Sequence, residues 1–144
     1  MALQDYCQGR VVPKTLFHGT RSRFEAFDER FLGLACRNPT TLFGFYFSET
    51  SQDAMHWAGR GRGGLQPPSV IEVALDVSKL IDMSYADFHY FLQRARKSTI
   101  AKRRLQWIKE GWDGFTVLRE NTRWFCIFES SKIHIQKDLS LIHI

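Results

Sequence analysis

Apolar positions along this chain fall into continuous runs and helical stripes. Residues 42 to 49, LFGFYFSE, form a nearly unbroken aromatic run with one glycine, which predicts a strand covered on both faces. An earlier run predicts a first strand around Thr15 to Phe17 that ends at the turn His18-Gly19-Thr20. SVIEVALDV, residues 69 to 77, is β-branched and predicts a further strand closed by a turn at Asp76 to Lys79. Late in the chain, EGWDGF turns into FTVL, RENTR leads to WFCIF, and KIHI closes as another strand.

Helical spacing occurs between these runs. Thr50 or Ser51 is placed to cap a helix with Ala54, Trp57 and Ala58 on one face. That helix ends in GRGRGG, and the glycines and prolines of residues 59 to 68 predict a mobile loop. Ser84, with Asp87 three positions on, opens a second helix whose stripe is Phe88, Phe91, Leu92 and Ala95. Residues 25 to 38 fit a short helix or an ordered loop broken at Asn38-Pro39, and residues 1 to 14 a lead-in to the first strand. The pattern as a whole predicts one α+β domain with most of its helix between early and late strands.

Composition adds three points. A chain of 144 residues, 44% hydrophobic, suits a single core, but twelve Phe, four Trp and four Tyr exceed what a minimal core needs. The surplus either lines a pocket for a flat ligand or packs. A net charge of +5 and a pI near 9.3 favour acidic partners such as nucleic acid. Cys7, Cys36 and Cys126 form no CxxC pair, so neither a disulfide framework nor a metal site is expected, and a reducing cytoplasm is the default location. No signal-like N-terminus or membrane-length apolar run stands out, so no membrane association is expected. Seven basic residues between Gln93 and Glu110, among them Arg103 and Arg104, make either a solvated helix face or a nucleic-acid contact. Arg60 and Arg62 in the glycine-rich loop are further candidates for a phosphate backbone.

The candidate chemistry combines His18-Gly19-Thr20, the strand bearing Tyr46, and Trp57 eleven residues beyond it. A flat heterocycle fits between two aromatic rings, while the backbone at Gly19, with no Cβ, offers an N–H and a C=O to a carboxamide. These are the requirements of a nicotinamide pocket, with His18 beside it for a ribose hydroxyl. The same residues also read as a turn at His18-Gly19 and core packing at Tyr46 and Trp57.

LFHGT with its trailing FEAFD, FGFYFSETSQDAMHWA, EGWDGF and WFCIFESSKI together resemble the ADP-ribosyltransferase superfamily, in the branch of diphtheria-type toxins and poly-ADP-ribose polymerases, over most of residues 15 to 135. The resemblance implies a split mixed β-sheet core with flanking helices and NAD as co-substrate, with no metal. It also implies that His18 orients a ribose, that Gly19, Thr20, Ser48 and Trp57 contact NAD, and that nicotinamide stacks on Tyr46; a one-residue slip would put His56 in place of Trp57. The third motif departs from the family: counting back from Glu129 lands on Trp124 where a glutamate is common, and Arg123 precedes it. Glu120 is the nearest upstream carboxylate and is expected to substitute as the catalytic group. Two other outcomes are that Arg123 grips a phosphate, as in the related RNA 2'-phosphotransferases, or that NAD is bound without turnover.

The implied function is a mono-ADP-ribosyltransferase, of toxin type, acting in toxin–antitoxin or phage-defence systems. Charge favours RNA or DNA over protein as acceptor, and the toxin-type resemblance implies an antitoxin or immunity protein as a further partner. Competing expectations are a protein-directed transferase, an NAD hydrolase, and a nucleic-acid-binding domain without NAD chemistry.

Overall fold

Period-two burial turns the apolar runs into strands. The computed structural model describes residues 3–20, 26–33, 38–60 and 69–138; the predicted loop from residue 61 onward, with Arg62, and Cys36 lie outside them. The strands are β1 (Leu16–Thr20), β2 (Phe45–Ser48), β3 (Ser69–Leu75), β4 (Leu80–Met83), β5 (Gly114–Arg119), β6 (Thr122–Ile127) and β7 (Ile133–Asp138). They form one seven-stranded sheet in the order β4-β5-β6-β2-β1-β3-β7. Only β4 and β5 are parallel, because the chain between them crosses over through two helices. With α1 (Ser51–Arg60), α2 (Tyr85–Arg94) and α3 (Lys97–Lys109), the sheet makes a single mixed α+β domain.

Each face of the sheet carries its own core. Phe45, Phe47, Phe125 and Ile127 join Leu16, Ile71 and Val73 on one side. Cys126, Phe115 and Val117 join Phe88, Ile100 and Trp107 on the other, beneath α2 and α3. Burying each such aromatic or aliphatic side chain contributes about 1.5–3 kcal/mol.

The aromatic run does not form one strand. Pro39–Leu42 is a 3-10 turn started by Asn38, whose side chain accepts from the Thr40 N–H at 3.0 Å, and the strand begins only at Phe45. Phe43 thereby drops into the core under α3, stacked on Trp107 at 5.5 Å. Gly44 allows this turn of direction: a Cβ there would stand 2.3 Å from the Ile127 carbonyl oxygen.

The caps follow the expected chemistry. Thr50 Oγ1 accepts from the Asp53 N–H at 3.1 Å to start α1, and Ser84 Oγ accepts from Asp87 N–H at 3.1 Å to start α2. The lead-in reaches across to β4 at the sheet edge. The Gln4 carbonyl accepts from Asp82 N–H at 2.8 Å, and Asp5 Oδ1 accepts from Leu80 N–H at 3.1 Å. These bonds occupy an edge that would otherwise present unpaired backbone groups. Among the described residues, no helix is long and apolar enough to cross a membrane.

Candidate functional site

The three predicted motifs arrive on three adjacent strands, β1, β2 and β6. Between β1 and β2 the ladder consists of one register pair, Phe17↔Ser48, so this junction is a seam in the sheet. His18 bridges it with its side chain: Nδ1 lies 2.7 Å from the Tyr46 carbonyl oxygen. A carbonyl can only accept, so Nδ1 carries the proton. The half-buried ring packs edge-on to Phe27 at 5.0 Å and against Phe47 at 5.6 Å. This enclosure lowers its pKa from the ordinary 6.5, only partly opposed by the bond to Tyr46, so His18 is neutral at neutral pH.

Gly19 is set by packing. A Cβ there would lie 1.9 Å from the Ala54 carbonyl oxygen and 3.0 Å from the Ala58 Cβ, because α1 crosses directly over β1. Thr20 ends the strand, its carbonyl accepting from the Ser69 hydroxyl at 3.4 Å.

Tyr46 points to the sheet face opposite His18. Its hydroxyl donates to the Thr40 carbonyl at 2.6 Å, and its ring meets Phe88 and Phe115 edge-on. Burial, helped by neighbouring Cys126, raises its pKa well above the ordinary 10.0, so it is a neutral phenol. Ser48, also buried, donates to Asp53 Oδ2 at 2.6 Å.

Trp57 stands at the edge of this group. Ala54 and Ala58 take the close contact with β1 and are buried, while Trp57 is 41% exposed and meets Trp124 edge-on at 5.4 Å. Trp124 is the register partner of Ser48, and Tyr85 and Phe88 of α2 pack on it at 6.5 and 5.7 Å. Its indole N–H is buried with no acceptor among the described residues. His56 is exposed beside Trp57.

Carboxylates flank the start of β6. Glu120 is exposed at the tip of the β5–β6 hairpin, between the paired Arg119 and Thr122, with φ at 56°. Glu49 follows Ser48, and its Oε1 accepts from the Arg123 N–H at 3.0 Å. Sequence reasoning missed both Glu49 and Asp53. The available signal for Glu49 was that antiparallel pairing of FYFSE with WFCIF brings the residue after Ser48 to the start of the partner strand.

Strand alternation sends Arg123 to the face opposite Trp124. Its guanidinium lies over the Tyr6 ring at 4.6 Å, donates to Thr116 Oγ1 at 3.2 Å and pairs with Asp82 at 4.0 Å. Glu129 sits at the other end of β6, ahead of the 3-10 turn Ser130–Lys132. Arg104 donates to the Phe128 carbonyl, and Arg103 lies over the Trp107 ring at 5.8 Å. Arg60 is the last residue of α1, and its side chain, like Arg62, is outside the described structure.

A groove of about 660 Å³, bordered by Lys79, Asp87, Tyr90, Phe91, Arg103 and Trp107 among others, lies along α2 and α3, away from His18, Tyr46 and Trp57. The described residues contain no group of three or more His, Cys, Asp or Glu placed to hold a metal ion. Comparison of the chain with protein-family models, with curated proteins and with solved structures returns no match.

Proposed function

We propose that the chain is an NAD-dependent ADP-ribosyltransferase whose site lies at the seam between β1 and β2. The observation that carries this reading is the grouping on the α1 side of that seam: Gly19 against α1 on one strand, Tyr46 and Ser48 on the next, and Trp57 and Trp124 in contact beside them, while His18 ties the two strands from the opposite face. The residues suit a nicotinamide nucleotide in two respects. Trp57 keeps an exposed ring for a planar group, and the orphaned Trp124 N–H wants an acceptor such as a hydroxyl or carboxamide oxygen.

In the reaction, the bond between the nicotinamide nitrogen and the anomeric carbon breaks, its electron pair leaving with nicotinamide. An acceptor oxygen or nitrogen bonds to that carbon and loses its proton to solvent. The leaving group is already cationic, so the protein contributes positioning and negative charge near the developing positive carbon. Glu49, anchored on the Arg123 N–H, and Glu120 at the hairpin tip are the carboxylates at the start of β6 for that task. The basic balance of the chain supports a nucleic-acid acceptor. A toxin-type role with a neutralising partner follows from the family resemblance alone.

Labelled NAD incubated with protein and separate pools of RNA, DNA and cell-extract protein tests the proposal. Nicotinamide release with label on the nucleic-acid pools is expected, with H18A abolishing both. Either E49Q or E120Q should lower turnover by at least about 100-fold, as expected for loss of one electrostatic contact to the transition state. Folded protein that neither releases nicotinamide nor melts higher with NAD overturns the proposal. Trp124 in the usual glutamate position favours one second reading, an NAD-binding domain without turnover. Thermal protection without nicotinamide release identifies it.

A further inference from the structure

We infer that the outer surface of α2 and α3 is a docking surface for a single-stranded nucleic acid, gripped through its phosphates and one stacked base. The inference deepens the acceptor half of the proposed function and rests on that reading for the strand's purpose.

Charge carries it first. Arg94, Arg96, Lys97, Lys102 and Lys109 are all exposed, and among the described residues none of the five is in an ion pair. The α3 sequence KSTIAKRRLQWIK contains no acidic residue along its 13 positions, a length of about 20 Å. Lys102 and Lys109 are seven residues apart and share a solvent face, while Arg94 to Lys97 crowd its N-terminal end. Arg103 and Arg104, turned onto Trp107 and the Phe128 carbonyl, contribute less than the sequence suggested. Among the described residues, the carboxylates that border the α2–α3 groove are Asp82 of β4, which pairs with Arg10 and Arg123, Asp87 in the first turn of α2, and Glu110 after α3, where its Oε1 accepts from Gln106.

An exposed aromatic carries it second. Tyr90 is 60% exposed, borders the α2–α3 groove together with Arg103 and Gln106, and lies one helical turn from Arg94. A ring beside a cation is a stacking platform for an unpaired base, which a duplex does not present. An anionic membrane fits less well, since it requires a broad apolar stripe. Here Ile100 and Trp107 of α3 are buried in the core, leaving Leu105 as the outward aliphatic of that helix.

The test is fluorescence anisotropy with labelled mixed-sequence strands of about 20 nucleotides, RNA and DNA, without NAD, from 50 to 200 mM salt. Five phosphate contacts predict a log–log salt slope near −3.5, an affinity loss of about 100-fold across that range, for both strands alike. K102Q/K109Q should make the slope shallower by about 1.4. Y90A should weaken binding by about 5- to 150-fold while leaving the slope unchanged. These positions are exposed, and circular dichroism verifies that the variants fold. The inference is overturned by absent binding at 50 mM salt, by variants that retain wild-type affinity and slope, or by preferential binding to duplex or to phosphatidylserine vesicles. Strand binding without nicotinamide release would sink the transferase reading and leave this surface standing.

Discussion

Two aromatic groups share one side of the sheet and differ in what they leave unsatisfied. Beneath α2 and α3, Phe43, Trp107, Phe115 and Phe128 are 0 to 5% exposed, with Trp107 stacked against Phe43 at 5.5 Å and Phe128 at 6.0 Å. Near the seam, Trp57 and Trp124 meet edge-on, one ring is 41% exposed, and the indole N–H of the other is buried without an acceptor. The first group is closed, and its geometry is accounted for by packing. The second retains surface and a hydrogen-bond donor, which is what a binding site needs and a core avoids.

Mutations at matched residues test this contrast. The largest effect is expected for W107A, which empties the closed group and should cost about 3–5 kcal/mol of stability in chemical denaturation. That is a large share of the roughly 5–15 kcal/mol typical of a domain. G19A should follow at about 1–3 kcal/mol, since α1 must move off β1 to admit the methyl group. An unchanged denaturation midpoint for G19A would refute the close approach of α1. W57A should cost under about 1 kcal/mol because half of its contact is with solvent, yet it should abolish thermal protection by NAD. Equal stability losses for W57A and W107A would erase the distinction between the groups.

A pH series sharpens the comparison from the seam side. The folded protein resists protonating His18, whose pKa lies below 6.5, whereas the unfolded chain takes up that proton at its ordinary pKa. The stabilising contribution is therefore complete above about pH 6.5 and lost as the pH falls toward the folded value. H18Q should show a smaller fall in melting temperature than the parent between about pH 7 and pH 5. Identical pH slopes would mean that His18 is not held neutral.

Much of the local structure was legible because it depends on neighbours in sequence. The β-branched SVIEVAL became β3, the turn between FTVL and WFCIF became a hairpin, and Ser84 with Asp87 began α2. Other features depended on partners far along the chain. Trp57 has the right spacing to share the buried face of α1, but Ala54 and Ala58 occupy the contact that Gly19 permits, and the larger ring is displaced to the rim. The basic stretch showed its charge but not that two of its arginines turn inward.

What the sequence determined by itself was the alternation, the caps and turns, and the residue types gathered in each motif, since these follow from backbone preferences over a few positions. The tertiary structure alone decided which motifs meet. The Phe17↔Ser48 register sets His18 across from Phe47 and on the face opposite Tyr46, and the Ser48↔Trp124 register brings Glu49 to the start of β6. For strands far apart in the chain, the alternation says which residues share a face, but the choice of partner strand is long-range and is made by two cores packing at once.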